Sequence, residues 1–302
     1  MIRISLIAAT VAAIAAPTLA EDWKSEFKTL RFGVLSGENE KDRIQRYQPF
    51  EAYLEKTLGV DVEIFTASAY DGVIQALAAD QIEFAFLGSS AYAAAWSETE
   101  GGVEPLLSRR QNDGSTGYYS IIAAQCDGPF KTLADLKGKV LAFADPDSTS
   151  GYQVPYYNLI EREQIDPATY FSATPFSGSH ENGVIGVVNG AYDAAATYTT
   201  NETSGVIQNM VRKGMIDADK ACSIWQSPEI TSGPFTARTN LPEGLKQDMK
   251  AAVMDIVTAD PEAFKMMTGG EVSTQAGWIE VDHDRYQWIV DMQNWLRAQR
   301  RG

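Results

Sequence analysis

Short apolar runs alternate with longer segments of helical periodicity along most of this chain. Apolar runs between turn residues predict strands, and apolar side chains three and four residues apart predict helices. The predicted strands are 29–34, 60–65, 82–87, 118–124, 140–144, 193–196 and 223–225. The predicted helices are 43–57, 70–79, 88–96, 153–164, 183–189, 206–213, 245–257, 261–267 and 286–297. This alternation predicts an α/β protein with two lobes of similar size, between which the chain crosses twice.

One turn in this pattern has the composition of an anion site. Asp145-Pro146-Asp147-Ser148-Thr149-Ser150-Gly151 lies between the predicted strand 140–144 and the predicted helix 153–164. The first N–H groups of a helix lack intrahelical partners and lie at the positive end of its dipole, so they attract anions. Three hydroxyls and a glycine allow an oxyanion to approach and to be hydrogen-bonded from several directions. The same composition fits an ordinary N-cap, and both interpretations stay open at this point.

The first twenty residues have the pattern of an export signal. Arg3 supplies the positive start, residues 4–16 are apolar, and Thr18-Leu19-Ala20 fits a cleavage site after Ala20. The apolar part is shorter than the roughly 20 residues that a spanning helix needs. No later segment is long and apolar enough to cross a membrane, so the sequence predicts an exported protein.

The charge of the chain restricts its partners. The full chain carries a formal net charge of −15, and removal of the signal would take away Arg3 and no acid. Nucleic acid is therefore not an expected partner, because its binding needs a basic surface. Long-range attraction of anions is also disfavoured, so an anion would have to be held by local dipoles and hydrogen bonds within a cleft.

The chain contains two cysteines, Cys126 and Cys222. In an exported protein a disulfide between them is the favoured prediction, because the compartment is oxidising. Two buried free thiols, which behave as small hydrophobic groups, are the alternative.

An ordered set of motifs runs through almost all of the chain after the signal. The motifs are Phe32-Gly33-Val34, Ala67-Ser68-Ala69-Tyr70-Asp71-Gly72-Val73-Ile74-Gln75, Ala85-Phe86-Leu87-Gly88, Gly117-Tyr118, the turn 145–151, Ser177-Gly178-Ser179-His180-Glu181, Asp193-Ala194-Ala195-Ala196 and Ile224-Trp225-Gln226-Ser227-Pro228. With this set the sequence resembles the periplasmic phosphate/phosphite/phosphonate-binding proteins that supply ATP-driven importers. The resemblance implies a two-lobed type II periplasmic binding protein fold, with a cleft between the lobes and two crossing strands. It implies one lobe of residues 21–118 plus 225–302 and a second lobe of residues 119–224.

The resemblance also implies a set of ligand-binding residues. Ser148, Thr149 and Ser150 match the turn that holds the phosphonate oxygens in the family, and Tyr70, Tyr118 and His180 match side chains that face the cleft. Without the resemblance, the two tyrosines would be interpreted as core aromatic residues and His180 as a surface or N-cap residue. A histidine beside an oxyanion would be stabilised as the imidazolium, which would make affinity pH-dependent near neutrality.

One departure concerns the substituent of the ligand. Relatives that bind 2-aminoethylphosphonate hold its ammonium group with two carboxylates, and here the second of these positions falls in Ser232-Gly233-Pro234. The first position falls on Thr200 without a gap, or on Glu202 with a short insertion, and Glu229 is a neighbouring acid. We therefore expect Glu202 as a further candidate ligand residue, with 2-aminoethylphosphonate or another alkylphosphonate as the ligand.

Other classes of function have less support. The sequence has no HExxH, Walker, Gly-x-Ser-x-Gly or cysteine/histidine metal motif, so we expect no catalysis, no cofactor and no metal site. Alternatives are a phosphite-, sulfonate- or other oxyanion-binding protein of the same fold, or a ligand-binding sensor module. The expected partners are a small phosphonate or related oxyanion and a cognate ABC permease at the inner membrane, with the protein itself a monomer.

Overall fold

The structure is a computed structural model that describes residues 23–270 and 272–299. The predicted export signal and its cleavage point lie outside the described residues. Within the described part of the chain, no helix is long and apolar enough to cross a membrane.

Strands and helices alternate as the hydrophobic pattern predicts, so the α/β prediction is confirmed. The strands are β1 (Thr29–Val34), β2 (Asp61–Thr66), β3 (Phe84–Phe86), β4 (Val103–Arg110), β5 (Gly117–Gln125), β6 (Leu141–Ala142), β7 (Ala194–Asn201), β8 (Ser204–Gly205), β9 (Ala221–Gln226), β10 (Ile230–Thr231), β11 (Pro234–Arg238) and β12 (Gly277–Glu280). The helices are α1 (Trp23–Glu26), α2 (Glu40–Leu58), α3 (Tyr70–Ala78), α4 (Ser89–Glu98), α5 (Val154–Glu161), α6 (Pro167–Tyr170), α7 (His180–Val188), α8 (Val206–Arg212), α9 (Glu243–Ala259), α10 (Pro261–Thr268) and α11 (Gln287–Gln299).

The strands form two mixed sheets. The first sheet has the order β12-β4-β11-β3-β1-β2, in which β1 is parallel to β2 and β3 while β11 is antiparallel to β3 and β4. In the second sheet β5 is central, with β7 antiparallel on one side and β9 and β10 on the other, and β6 is parallel to β7. The chain passes from the first sheet to the second between β4 and β5, and it returns between β10 and β11. The predicted lobe boundaries, at 118/119 and 224/225, fall within β5 and β9 and stay a prediction.

Helix α2 illustrates how the sequence forms an element that positions the cleft. Its N-cap Asn39 accepts a hydrogen bond of 3.0 Å from the backbone N–H of Asp42, and Gly59 ends the helix with a left-handed φ of 72°. Phe50 and Leu54 lie on the buried face and pack in the core of the first sheet with Phe32 of β1. Full burial of such side chains contributes about 1.5–3 kcal/mol each, so packing anchors the helix.

Several predicted elements are wrong in their extent. The predicted strand 140–144 forms only β6, because Val140 and Phe143 make isolated bridges to Ala173 and Phe176 instead of continuous pairing. The predicted helix 153–164 is preceded by a π-helical turn, Thr149–Gln153, from which α5 continues. Strands β4, β11 and β12 have no counterpart among the predicted strands.

The two cysteines form the predicted disulfide. Cys126 follows the end of β5 and Cys222 lies in the neighbouring strand β9, so their Cα atoms are 5.0 Å apart although 96 positions separate them in sequence. The bond therefore joins the ends of two adjacent strands of the second sheet.

Candidate ligand-binding site

A cleft of about 490 Å³ lies between the two sheets and receives side chains from both. The described residues of the first sheet and its helices contribute Tyr70 and the segment 86–88, among others. The second sheet contributes Tyr118, the turn 148–150 and His180. Six of the seven ligand-binding candidates from the sequence therefore line one cavity.

The hydroxyl-rich turn is an N-cap and also faces the cleft. Ser148 Oγ accepts a hydrogen bond of 3.0 Å from the backbone N–H of Gly151 at the start of the π-helical turn. Gly151 is required here, because a Cβ atom would lie 2.5 Å from the Cβ of Ala144 and 2.9 Å from Cε1 of His180. Since the cap bond uses only an acceptor position of Ser148, its O–H remains a potential donor to an anion. Both interpretations of this turn are thus compatible.

Three helices of the first sheet point their N-termini at oxygen atoms from the other side of the cleft. The pairs are Ser90 N to Thr149 Oγ1 at 2.8 Å for α4, Tyr70 N to Asp145 Oδ2 at 3.3 Å for α3, and Asn39 N to Glu181 Oε2 at 3.1 Å for α2. The N-cap residues of α3 and α4 make no side-chain hydrogen bond to the first turn of their own helices. The second half of the molecule therefore supplies acceptors for helix N–H groups of the first half.

The two tyrosines hold their protons at neutral pH. Burial raises the pKa of Tyr70, and the nearby carboxyl of Asp145 adds to the effect. Burial raises the pKa of Tyr118 to about 12, although the hydroxyls of Thr149 and Ser150 oppose the shift. Both phenols are therefore neutral hydrogen-bond donors beside the turn.

His180 is buried at the first position of α7, next to the turn. Its Nε2 lies 3.4 Å from Ser148 Oγ and its Nδ1 lies 3.2 Å from Thr197 Oγ1. The ring of Tyr198 packs edge-on against the imidazole at 5.1 Å. Burial lowers the pKa of His180 to about 4, so the imidazole is neutral at pH 7 in this structure. The imidazolium was expected only for a histidine beside an oxyanion, and that expectation stays a prediction.

Glu202 does not line the cleft. Glu202 is exposed and lies along another cavity together with Glu229. Thr200, the residue that matches the family position without a gap, is buried and lines the cleft. Gly233 also lines the cleft, but a Cβ there would lie 2.0 Å from the carbonyl oxygen of Leu87. No side chain fits at that position, so the missing acid reflects close backbone packing.

Sequence reasoning missed several charged or aromatic residues of the cleft. These are Glu38, Arg46, Arg109, Glu181, Tyr198, Arg212 and Lys213. Two pairs of adjacent cations, Arg109-Arg110 and Arg212-Lys213, were the available sequence signals, because adjacent cations are unusual in a chain this acidic. Within the described ranges, no three His, Cys, Asp or Glu side chains come together in a way that could hold a metal ion.

Known proteins match this chain over most of its length. A sequence model of the family described as "ABC transporter, phosphonate, periplasmic substrate-binding protein" matches residues 32–286. The phosphonates-binding periplasmic protein of Escherichia coli K12 is 32% identical over 241 residues, which cover 78% of this chain and 68% of that protein. The phosphate-import protein PhnD of Mycolicibacterium smegmatis is 27% identical over 280 residues, which cover 88% of this chain and 86% of that protein.

Solved structures share the fold. A binding protein component of an ABC phosphonate transporter from Pseudomonas aeruginosa aligns with a TM-score of 0.78 and 26% identity, covering 88% of this chain and 85% of that one. PhnD1 of Prochlorococcus marinus, in complex with methylphosphonate, aligns with a TM-score of 0.76 and 20% identity, covering 89% of this chain and 98% of that one. The expected two-lobed type II periplasmic binding protein fold is confirmed.

Proposed function

Because the chain belongs to the periplasmic substrate-binding proteins of phosphonate ABC transporters, we propose that its cleft captures a phosphonate and delivers it to a cognate permease at the inner membrane. Two of the relatives are named for phosphonates, one as a phosphonates-binding periplasmic protein and one as a binding protein component of an ABC phosphonate transporter. In this function the protein carries its ligand without changing it.

One observation carries the proposal. The hydroxyls of Ser148 and Thr149 each accept a backbone N–H bond, so their hydrogens are left to donate into the cleft. A phosphonate dianion offers three oxygens that only accept hydrogen bonds, and donors in a closed cleft bind it more strongly than water-exposed ones. We propose that Ser148, Thr149, Ser150, Tyr70, Tyr118 and His180 surround these oxygens. Glu202, which lies outside the cleft, is not part of the proposed site.

The neutral state of His180 fits this role. In the tautomer protonated at Nε2, Nδ1 can accept from the Thr197 hydroxyl, and the Nε2–H faces Ser148 Oγ at 3.4 Å, where it is a donor beside the turn. The phenols of Tyr70 and Tyr118 are further neutral donors beside the turn. These neutral donors are oriented dipoles that act on the anion locally, in a chain whose net charge of −15 disfavours long-range attraction of anions.

Delivery depends on closure of two lobes, which we propose are residues 21–118 plus 225–302 and residues 119–224. Contacts such as Thr149 to Ser90 form only when both halves meet, so the permease can recognise the closed, loaded form. We also propose that the chain is exported with cleavage after Ala20 and that it acts as a monomer, since closure needs both lobes free.

Calorimetry with a small set of anions tests this proposal. The wild-type protein should bind methylphosphonate, and Ser148→Ala should weaken that binding roughly tenfold or more, because a charge-assisted hydrogen bond contributes about 1.5–3 kcal/mol. The ligand should be recovered unchanged by phosphorus NMR, and N-terminal sequencing of exported protein should begin at Glu21. Binding of an alkyl sulfonate with no binding of any phosphonate would overturn the proposal.

A further inference from the structure

The cleft is more cationic than the protein around it. Its described lining residues include four cations, Arg46, Arg109, Arg212 and Lys213, and two acids, Glu38 and Glu181. The whole chain, in contrast, carries a net charge of −15. A local excess of positive charge in an acidic protein indicates that the cleft is built for a strongly anionic occupant.

The two acids among the described lining residues of the cleft are already bound by groups of the protein. Glu38 accepts from Arg46 Nε at 2.7 Å and from Lys213 Nζ at 2.8 Å. Glu181 accepts from Lys213 Nζ at 2.9 Å and from the backbone N–H of Asn39 at 3.1 Å. An ammonium group on the ligand would have to displace one of these partners, so no carboxylate among the described lining residues is free to bind it.

Arg109 differs from the other cations of the cleft. Its Nε is buried and has no hydrogen-bond partner, and among the described residues no carboxylate lies within ion-pair distance of its guanidinium. Burial lowers the pKa of Arg109, and the groups that also act on it are Tyr47, Arg46 and Tyr198, none of which is an acid. A buried N–H group without an acceptor is costly, so the Nε of this half-buried side chain points to an acceptor that arrives with the ligand.

A second unpartnered donor lies beside Arg109. Trp278 of β12 is the direct register partner of Arg109 in β4, so both side chains project from the same face of the sheet. Trp278 also lines the cleft, and its indole Nε1 is buried without an acceptor in the described structure. Two N–H donors without acceptors therefore stand side by side in one wall of the cavity.

We propose that the ligand is a phosphonate whose substituent carries a carboxylate, which the guanidinium of Arg109 binds beside Trp278 Nε1. The planar, forked guanidinium matches a carboxylate with two parallel hydrogen bonds. The cleft of about 490 Å³ leaves room for such a substituent beyond the phosphonate oxygens. This inference rests on the proposed function, because it places the phosphonate group at Ser148–Ser150.

Calorimetry with methylphosphonate, 2-aminoethylphosphonate, phosphonoacetate and 3-phosphonopropanoate tests the inference. The wild-type protein should bind one of the two carboxylated phosphonates roughly 10- to 100-fold more tightly than methylphosphonate, and 2-aminoethylphosphonate should bind no more tightly than methylphosphonate. Arg109→Gln should remove the preference and leave the affinity for methylphosphonate within about threefold. Arg110→Gln is the matched control, because Arg110 is the next residue of β4, is exposed and does not line the cleft.

The outcomes separate the two proposals. Equal affinity for methylphosphonate and both carboxylated ligands, or tighter binding of 2-aminoethylphosphonate, overturns this inference while phosphonate binding stands. Absence of binding to every phosphonate counts against the proposed function itself. Equal loss of the preference in Arg110→Gln also overturns the inference. If Arg109→Gln does not fold, as judged by circular dichroism, Arg109→Lys keeps the charge without the fork and should retain only part of the preference.

Discussion

The hydroxyl of Thr149 accepts a hydrogen bond of 2.8 Å from the backbone N–H of Ser90, and this bond joins the two halves of the molecule across the cleft. Ser90 is in the first turn of α4, whose N-cap residue Gly88 has no side chain to accept it. Thr149 therefore caps a helix of the first sheet while it belongs to the hydroxyl-rich turn of the second. The residue proposed to hold the anion also holds the cleft closed.

Replacement of Thr149 tests both roles together. Thr149→Ala removes both the cap and a donor to the anion, so we expect affinity for methylphosphonate to fall by one to two orders of magnitude. Thr149→Ser keeps the hydroxyl and should stay within about threefold of the wild-type affinity. Titration calorimetry of both variants checks this, and equal affinities for Thr149→Ala and wild type would remove Thr149 from the site.

His180 predicts a pH dependence of stability without ligand. Burial lowers its pKa to about 4 in the folded chain, while the unfolded chain has the ordinary value near 6.5, so the unfolded state takes up a proton first as pH falls. The contribution of His180 to the free energy of unfolding is complete above about pH 6.5 and is lost progressively between about pH 6.5 and pH 4. From pH 7.5 to pH 5 we expect the free energy of unfolding to fall by about 2 kcal/mol on account of this residue.

Urea unfolding of wild type and His180→Gln at both pH values measures that contribution. The variant should lose about 2 kcal/mol less than the wild type over this interval. His283→Gln is the comparison, because it is the second of the two histidines in the chain and does not line the cleft. The interpretation fails if His180→Gln and wild type show the same pH dependence.

Gly233 should tolerate no side chain. A Cβ at this position would lie 2.0 Å from the carbonyl oxygen of Leu87 and 2.8 Å from Cα of Gly88, both backbone atoms that cannot move aside cheaply. We expect Gly233→Ala to destabilise the protein by about 2 kcal/mol or more, as overpacking does. Gly277→Ala is the control, because its Cβ would make only ordinary contacts at 3.7 Å and 3.9 Å. Thermal unfolding compares them, and equal midpoints would show that the Leu87–Gly88 backbone yields.

The sequence predicted the turn 145–151 better than it predicted the walls of the cleft. Local composition identifies a hydroxyl-rich turn before a helix, because its cap and donor groups are neighbours in the chain. Strand β4, which carries Arg109, was missed because Pro105 interrupts it and a central strand rarely contains proline. The structure accommodates Pro105 at a register shift opposite Phe235 and Thr236. Only the pairing of β4 with β11 and β12 brings Arg109 to the cleft, and no local pattern encodes that pairing.

The disulfide should stabilise the protein without affecting the ligand. Cys126 and Cys222 close a loop of 96 positions at the end of β5, roughly 25 Å along the strand from Tyr118. The double variant Cys126→Ser/Cys222→Ser should lose about 2–5 kcal/mol in the free energy of unfolding, because the unfolded chain regains its freedom. Its affinity for methylphosphonate should match that of the wild type at 25 °C. A tenfold weaker affinity in folded double variant would mean that the bond also shapes the cleft.

Lys213 connects the two halves at the edge of the cleft. Its ammonium lies 2.8 Å from Glu38 and 3.1 Å from Asp42 on one side, and 2.9 Å from Glu181 on its own side. Although burial opposes its charge, hydrogen bonds to Glu38 and Glu181 raise the pKa of Lys213. The ion pairs across the cleft are lost when the lobes separate, so they favour the closed state.

We therefore expect Lys213→Met to weaken methylphosphonate binding roughly tenfold, since each of several partly exposed pairs contributes up to about 1 kcal/mol. Small-angle scattering should show a larger radius of gyration for the ligand-free variant than for ligand-free wild type. Lys220→Met is the matched control, because Lys220 lies 3.7 Å from the exposed Asp219 and is not among the described residues that line the cleft. Added salt should reduce the difference in methylphosphonate affinity between wild type and Lys213→Met, because screening weakens the ion pairs that Lys213 makes in the wild type. If Lys213→Met and wild type have equal affinity for methylphosphonate and equal radii of gyration, the helix N-terminal contacts alone hold the closed state.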